Sequence, residues 1–446
     1  MLARYLLLLL FFSSVALSDN LNDTAAMLRE KALTSDQGWQ IVESLTTEVG
    51  PRLAGTAADK RAVNWAVELL EQAREANVFD RVWLEPVRFP IWQRHHERAR
   101  VISPYPQPLK ITALGYSGST DGEISAQVIA FPDLPSLQAA DEAAVAGKIV
   151  FINQPMFRHR EGAGYGEVVA VRYAAGIVAK QKGAVAALIR SIGTDSHRFP
   201  HAGASSRVEE PLPAAALSAP DADQLQRILD RNEPLILALD ISVSEQADGE
   251  SHNVIAQIDG RVDAQKIVLI GAHLDSWDLG TGAIDDGAGV AITVAAAQLI
   301  GALPQRPRYS VRVILFANEE QGIWGAKAYA RAHRDELKQY LFASESDFGA
   351  GPVWRFDSAN QALKDMAMPH LAALNIEEGG DASRSGPDIK PLQEAGVPIF
   401  QLKQDGMDYF DYHHTADDTL DKVDAGSLKQ NIAAWAVVTF LAANLE

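Results

Sequence analysis

The chain has 446 residues, 47% of them hydrophobic, which is enough for a large core and, by length, for two or three domains. Its 58 acidic against 40 basic residues give a formal net charge of −18, which argues against nucleic acid and anionic membrane as partners. With no cysteine, the fold must be stable without disulfides and any metal must be held by nitrogen and oxygen.

The first residues carry the pattern of a secretory signal: Arg4, the apolar run Leu6 to Phe12, and Ala16-Leu17-Ser18 as a small-x-small cleavage site. Residues 1–18 are therefore expected to be removed. The apolar run is shorter than the roughly 20 residues a spanning helix needs. The mature protein is expected to be secreted or periplasmic, with no membrane contact. The sequence leaves a homodimer open.

Ser35-Asp36 is placed to cap a helix through Trp39, Val42, Leu45 and Val49, which Pro51 breaks. A second amphipathic helix is expected from Ala57 to about Ala76, with Ala62, Trp65, Ala66 and Leu69 on one face. Val82 to Phe89 reads as a strand, and Pro86 inside it points to a sheet edge.

From about 105 to 245 short strands alternate with loops (126–131, 148–152, 184–189), with helices expected at 169–181 and near 221–229. No residue there groups with the candidates described next, so the segment reads as an inserted accessory domain. From 252 onward strands and helices alternate: strand 265–273, helix 287–301, strand 309–317, helix 323–333, strand 340–347, helix 359–373, strand 397–402, helix 426–444. That rhythm predicts an α/β fold, a mostly parallel mixed sheet sandwiched by helices. The N-terminal elements rejoin it, so residues 19–104 and 246–446 are expected to form one domain interrupted by 105–245.

The chemistry concentrates at the expected carboxyl ends of these strands, where open α/β sheets place their sites. The apolar run Lys266 to Ala272 ends in His273-Leu274-Asp275-Ser276, and Asp285-Asp286-Gly287 follows a glycine-rich turn. His273 offers an imidazole nitrogen to a metal, and Asp275 is placed to accept its other ring N–H. Asp285, or its neighbour Asp286, offers a carboxylate able to bridge two ions. Glu319-Glu320 follows the strand ending at Ala317, so that one glutamate can bind metal while the other acts as general base. Asp347 closes the next strand, with Glu345 as a competing ligand, and one of His413 and His414 can complete a second ion. Histidine with several carboxylates and no cysteine is a ligand set for catalytic zinc, and five such groups suit two ions. His95, His96, His159, His197, His201, His252, His333 and His370 are read as structural.

These motifs resemble the di-zinc aminopeptidase superfamily, and Ser276-Trp277-Asp278 resembles its carboxypeptidase Q branch. Gly50-Pro51-Arg52-Leu53-Ala54-Gly55-Thr56 belongs to the same likeness, which covers nearly the whole mature chain. Segment 105–245 resembles the protease-associated domain inserted in many such enzymes. The resemblance implies that His273 and Asp347 bind one zinc, Glu320 and His414 the other, and Asp285 both. Glu319 is implied as general base, Asp275 as its catalytic companion at the first histidine, and a two-zinc-activated water as the nucleophile. His414 is preferred over His413 because histidine, Thr415, two residues, then Asp418-Thr419 fits the family pattern from His414. The implied activity is that of an exopeptidase, an aminopeptidase or dipeptidase acting on dipeptides or short peptides. One departure is Gly386-Pro387-Asp388-Ile389, where many relatives carry Ser-Asp-His. Arg384 and Lys390 are placed either to meet a substrate carboxylate or as surface charge. Competing readings are a glutaminyl cyclase-like or other zinc amide hydrolase, and a non-enzymatic binding ectodomain.

Overall fold

A computed structural model describes residues 20–446; the expected signal at 1–18 lies outside the described residues. The central strands form because their sequences are apolar on both faces. Strand Asp263–His273 is buried throughout from Ile267 to His273, and Tyr309–Phe316 along its whole length. The period of two divides these runs between two cores. Val268, Ile270, Val311, Val313 and Leu315 pack with helices Ala288–Gly301 and Ala425–Ala442. Ile267, Leu269, Ile314 and Phe316 face Tyr329, Leu337, Ile389 and Leu392 on the other side. The sheet is thus covered on both faces. Residues 283–301 are apolar enough to cross a membrane by composition, but 94% of their most apolar stretch is buried within the fold.

Strand Asp263–His273 is parallel to both Tyr309–Phe316 and Tyr340–Glu345, so all three end on one side. Strand Ile236–Ile258 then runs antiparallel to Tyr309–Phe316, which makes the sheet mixed. It also pairs antiparallel with Arg81–Ser103 along nearly its full length, with register shifts at Phe89/Ile91 and Arg94/His96. These two 23-residue strands carry the sheet onward to Ile124–Phe131, Ile149–Ile152, Ala186–Arg190 and Ala214–Leu217. Eleven strands are continuous in this way. Pro86 sits opposite His252 in the stretch of Arg81–Ser103 with a single strand neighbour, the edge position its missing N–H requires.

The structure departs from the sequence expectations at three places. The expected strand 82–89 extends to Ser103, since its partner supplies main-chain bonds past Pro90 through a bulge. The helix expected at 169 begins at Ala163, behind Gly162 in a left-handed conformation. The last strand spans Phe400–Gln404 and pairs antiparallel with Val353–Ser358 in a separate three-stranded sheet; only an isolated bridge, Ala343 to Ile399, links it to the main one.

Candidate metal centre

Four chain segments meet at the carboxyl ends of the parallel strands. His273 is the last residue of its strand, and its side chain is 1% exposed. Its Nε2 lies 3.1 Å from Asp285 Oδ1 and 3.7 Å from Asp347 Oδ1. Its Nδ1 lies 2.9 Å from the main-chain oxygen of Asp275, and a carbonyl can only accept, so Nδ1 donates there and Nε2 is the ring atom directed at the two carboxylates, where a metal would take the place of its proton. The Asp275 carboxylate, expected in that role, is 3.7 Å away and instead accepts from the Glu319 N–H at 2.9 Å. A main-chain carbonyl two residues on reaches the ring with less rearrangement than a side chain, which frees Asp275 to hold the Glu319 turn.

Asp285 sits in the irregular turn Ala283–Gly287, between His273 and the histidine pair. Its Oδ1 faces His273, and its Oδ2 faces His414 Nε2 at 3.2 Å. Burial pushes its carboxyl up, but the bond from His273 and the nearness of His414 and His413 outweigh that and hold it well below the usual range. Asp286 points the other way, accepting from the N–H groups of His273 (3.2 Å) and Gly289 (3.1 Å). The geometry therefore separates the two neighbours. A side chain at Gly289 would meet Ser346 O at 2.0 Å and the Asp286 carboxylate at 2.2 Å, so glycine is required for that capping. Asp418 Oδ1 accepts from the N–H groups of Ala283 and Ile284, both at 2.7 Å, and so shapes the turn that carries Asp285. Burial pushes the Asp418 carboxyl up to about 7.

Glu320 Oε2 lies 2.9 Å from His414 Nε2. Glu319, beside it, has its carboxyl pushed well above the usual range by burial, reinforced by Asp347, Asp388 and Glu320. Asp347 stands two residues past strand Tyr340–Glu345. Glu345, the competing ligand, turns aside and accepts from the Asp388 N–H at 2.8 Å. His413 stacks on His414 with 3.4 Å between ring centres, among Tyr165, Tyr409 and Phe410. Its Nε2 is 3.6 Å from Asp285 Oδ2. Burial and the neighbouring His414 keep its pKa well below the usual value, so it is neutral. Arg384 is exposed, as is Lys390, which lies 3.9 Å from Glu394.

Donor atoms of His273, Asp285 and Asp347 lie within 4.8 Å of one another, as do those of Asp285, His413 and His414. Asp285 Oδ2 and Glu320 Oε1 are buried without a hydrogen-bond partner. Buried carboxylate oxygens left unpaired beside imidazole nitrogens are what a cation would satisfy, and a mixed N/O set without thiolate suits zinc in a catalytic setting. The residues present fit a catalytic zinc centre gathered about Asp285.

Two supports had no role in the sequence reading: Arg52 and the loop at His201–Ala202. Arg52 is fully buried and donates through Nε to Leu274 O, through Nη1 to Thr281 O (2.7 Å) and through Nη2 to Gly282 O (2.9 Å). A side chain at Gly282, whose φ is +60°, would meet Ser276 at 2.4 Å and Arg52 Nη1 at 2.7 Å. His201 places Nδ1 2.7 Å from His413 O, and Ala202 O lies 3.1 Å from His414 Nδ1. Segment 105–245 therefore does touch the candidate ligands. The Arg52 motif was visible in the sequence; the His201 contact left no local signal.

The sequence profile described as "Peptidase family M28" matches residues 253–439. Carboxypeptidase Q of Mus musculus is 32% identical over 419 residues, covering 92% of this chain and 86% of that protein. The crystal structure of a peptidase M28 precursor from Shewanella amazonensis SB2B is 45% identical with a TM-score of 0.92, covering 96% of this chain and 98% of that one. A zinc aminopeptidase from Bacillus subtilis shares the fold at 18% identity, with a TM-score of 0.66 and coverage of 90% and 94%.

Proposed function

Since the chain belongs to peptidase family M28 and is a metallopeptidase, we propose that it is an exopeptidase cleaving dipeptides or short peptides at a two-zinc centre. The observation that carries this reading is Asp285, whose two oxygens face His273 on one side and His414 on the other. In it, His273 and Asp347 would hold one ion and Glu320 and His414 the other, with Asp285 placed to serve both. When bound, the ions lower the pKa of a water and polarise the scissile carbonyl. Glu319 takes the proton of the attacking water and passes it to the leaving amine. Its high carboxyl pKa comes from a buried site, and the Asp275 bond to its N–H fixes the turn from which it reaches the substrate. Residues 20–104 and 246–446 form the peptidase unit in this reading, and 105–245 the insertion. Export to periplasm or medium belongs to the same proposal and rests on the Arg4 and Leu6 to Phe12 pattern.

The test is hydrolysis of a free dipeptide by metal-stripped protein before and after zinc is restored, with the N-acetylated dipeptide alongside. Zinc-dependent cleavage of the free dipeptide alone is expected. Cleavage of neither, with zinc demonstrably bound, would refute the exopeptidase assignment for these substrates and favour another amide hydrolase.

A further inference from the structure

Segment 105–245 reaches the candidate metal centre at three places: Tyr165 packs edge-on against the His413 ring, Tyr116 donates its hydroxyl to Gln321 O at 2.8 Å, and loop 191–204 bonds the main chain of His413 and His414. The Ala202 N–H donates to His414 O at 2.9 Å, and His414 Nδ1 lies 3.1 Å from Ala202 O. One residue earlier, His201 Nδ1 lies 2.7 Å from His413 O, and its Nε2 lies 2.6 Å from Asp195 Oδ2. The side chains of His201 and Asp195 are 1% and 2% exposed, so this pair is locked away from water. The His201 N–H donates to Ser191 Oγ at 2.9 Å, which ties the loop to the end of strand Ala186–Arg190.

These contacts act on a backbone that resists its own conformation. His414 has φ of +63°, the left-handed region that a side-chain-bearing residue seldom enters unless its surroundings impose it. The imposition comes from segment 105–245: Ala202 holds both the His414 carbonyl and its ring, while His201 holds the carbonyl before it. The ring bond also decides chemistry. Ala202 O can only accept, so Nδ1 is committed to that bond as a donor and Nε2 is the ring atom aimed at Asp285 and Glu320, the one a metal would take in place of its proton. No hydrogen bond runs from this loop to His273 or Asp347; their side chains are placed by Asp275, Asp285 and the strand ends.

We infer that loop 191–204 is a built part of the metal centre: His201, oriented by Asp195, is a positioning residue that holds His413–His414 so that His414 presents Nε2 to one of two metal ions. The inference rests on the zinc reading above. It makes the insertion a structural half of one metal site rather than an appendage.

The experiment is a zinc titration of metal-stripped full-length protein in a metal buffer, reading zinc bound per chain, with a thermal melt of the metal-free form. The parent is expected to bind two ions; fewer would overturn the two-zinc reading itself. His201→Leu removes both ring bonds and should weaken one of the two sites by about 10–100-fold while leaving the other at its parental affinity. His201→Asn keeps a donor toward His413 O and should recover part of that loss. A folded His201→Leu protein with two parental sites, or with both sites weakened equally, would overturn the inference and leave the loop a general stabiliser. Should His201→Leu fail to fold, Asp195→Asn carries the same test, with roughly tenfold weakening expected at one site and unchanged sites overturning it.

Discussion

Arg52→Lys isolates what the guanidinium fork does. Lysine keeps the positive charge that faces Asp418, Asp275, Asp286 and Asp285. It cannot keep three bonds spread over a planar fork to Leu274 O, Thr281 O and Gly282 O. An ammonium centred on one carbonyl leaves two others buried and unpaired, at about 1–3 kcal/mol each. The expected loss is therefore about 2–6 kcal/mol of stability in the metal-free protein. For a chain of this length the unfolding entropy translates that into a melting temperature lower by roughly 2–7 °C. The same carbonyls border the segment after His273 and the turn before Asp285, so zinc affinity should fall at both sites, about tenfold. Calorimetry on the metal-free variant and a buffered zinc titration read the two effects separately. A melting temperature within a degree of the parent, with both zinc affinities unchanged, would refute the view that Arg52 ties the ligand loops together.

Glu319→Gln should lower kcat by about 10²–10⁴-fold with both zinc ions still bound; near-parental turnover in a steady-state dipeptide assay would remove Glu319 as the base. His413→Phe should keep both zinc ions, because phenylalanine preserves the stack on His414 and suits the surrounding rings, whereas His414→Phe should lose one ion; zinc counted by a chromophoric chelator in the two variants distinguishes them, and the reverse pattern would exchange their roles. Asp59 is not among the candidate metal ligands: burial pushes its carboxyl up to about 7, against bonds from the Gly55 N–H and Ser251 Oγ. A carboxyl with a raised folded-state pKa contributes stability below its unfolded pKa near 3.8 and loses it as pH rises through about 7. Asp59→Asn should therefore melt with a weaker decline between pH 4 and pH 8 than the parent, the difference capped at roughly 4 kcal/mol; parallel profiles would show that Asp59 does not titrate in that range.

The parallel strands were legible because each is a continuous apolar run closed by a histidine or carboxylate, and the helices because their apolar faces repeat at helical spacing. His273, Asp285, Glu320, Asp347 and His414 could be named from sequence, and the structure brings them together within hydrogen-bond or near-contact range. Strand Arg81–Ser103 was legible only in its first third. Pro90, Arg94, His95 and His96 break its pattern, and what keeps it extended is pairing with Ile236–Ile258, far away in sequence. Phe400–Gln404 was legible as a strand but not by its partner, since Val353–Ser358 carries no distinct alternation. The reach of His201 to His413 across 212 residues rests on a main-chain carbonyl, an acceptor that every residue has. Side-chain motifs advertise themselves in sequence, whereas main-chain acceptors do not.

The same contrast explains why stability and metal binding should be inseparable here. The centre gathers the carboxylates of Asp285, Glu319, Glu320 and Asp347 against His273 and His414, and leaves Asp285 Oδ2 and Glu320 Oε1 without hydrogen-bond partners. Unpaired buried oxygens cost about 1–3 kcal/mol each, a cost that a cation bound there would offset. The candidate ligands come from segments anchored independently: His273 by the central sheet, Asp285 by Asp418 and Arg52, and His414 by Ala202 of the 105–245 segment. An ion bound among them joins pieces that the chain alone holds by separate hydrogen bonds. Zinc at a thousand times its dissociation constant should add about 4 kcal/mol to the folded state for each site. It should act in part on the His414 turn, where a residue with a side chain holds φ of +63°.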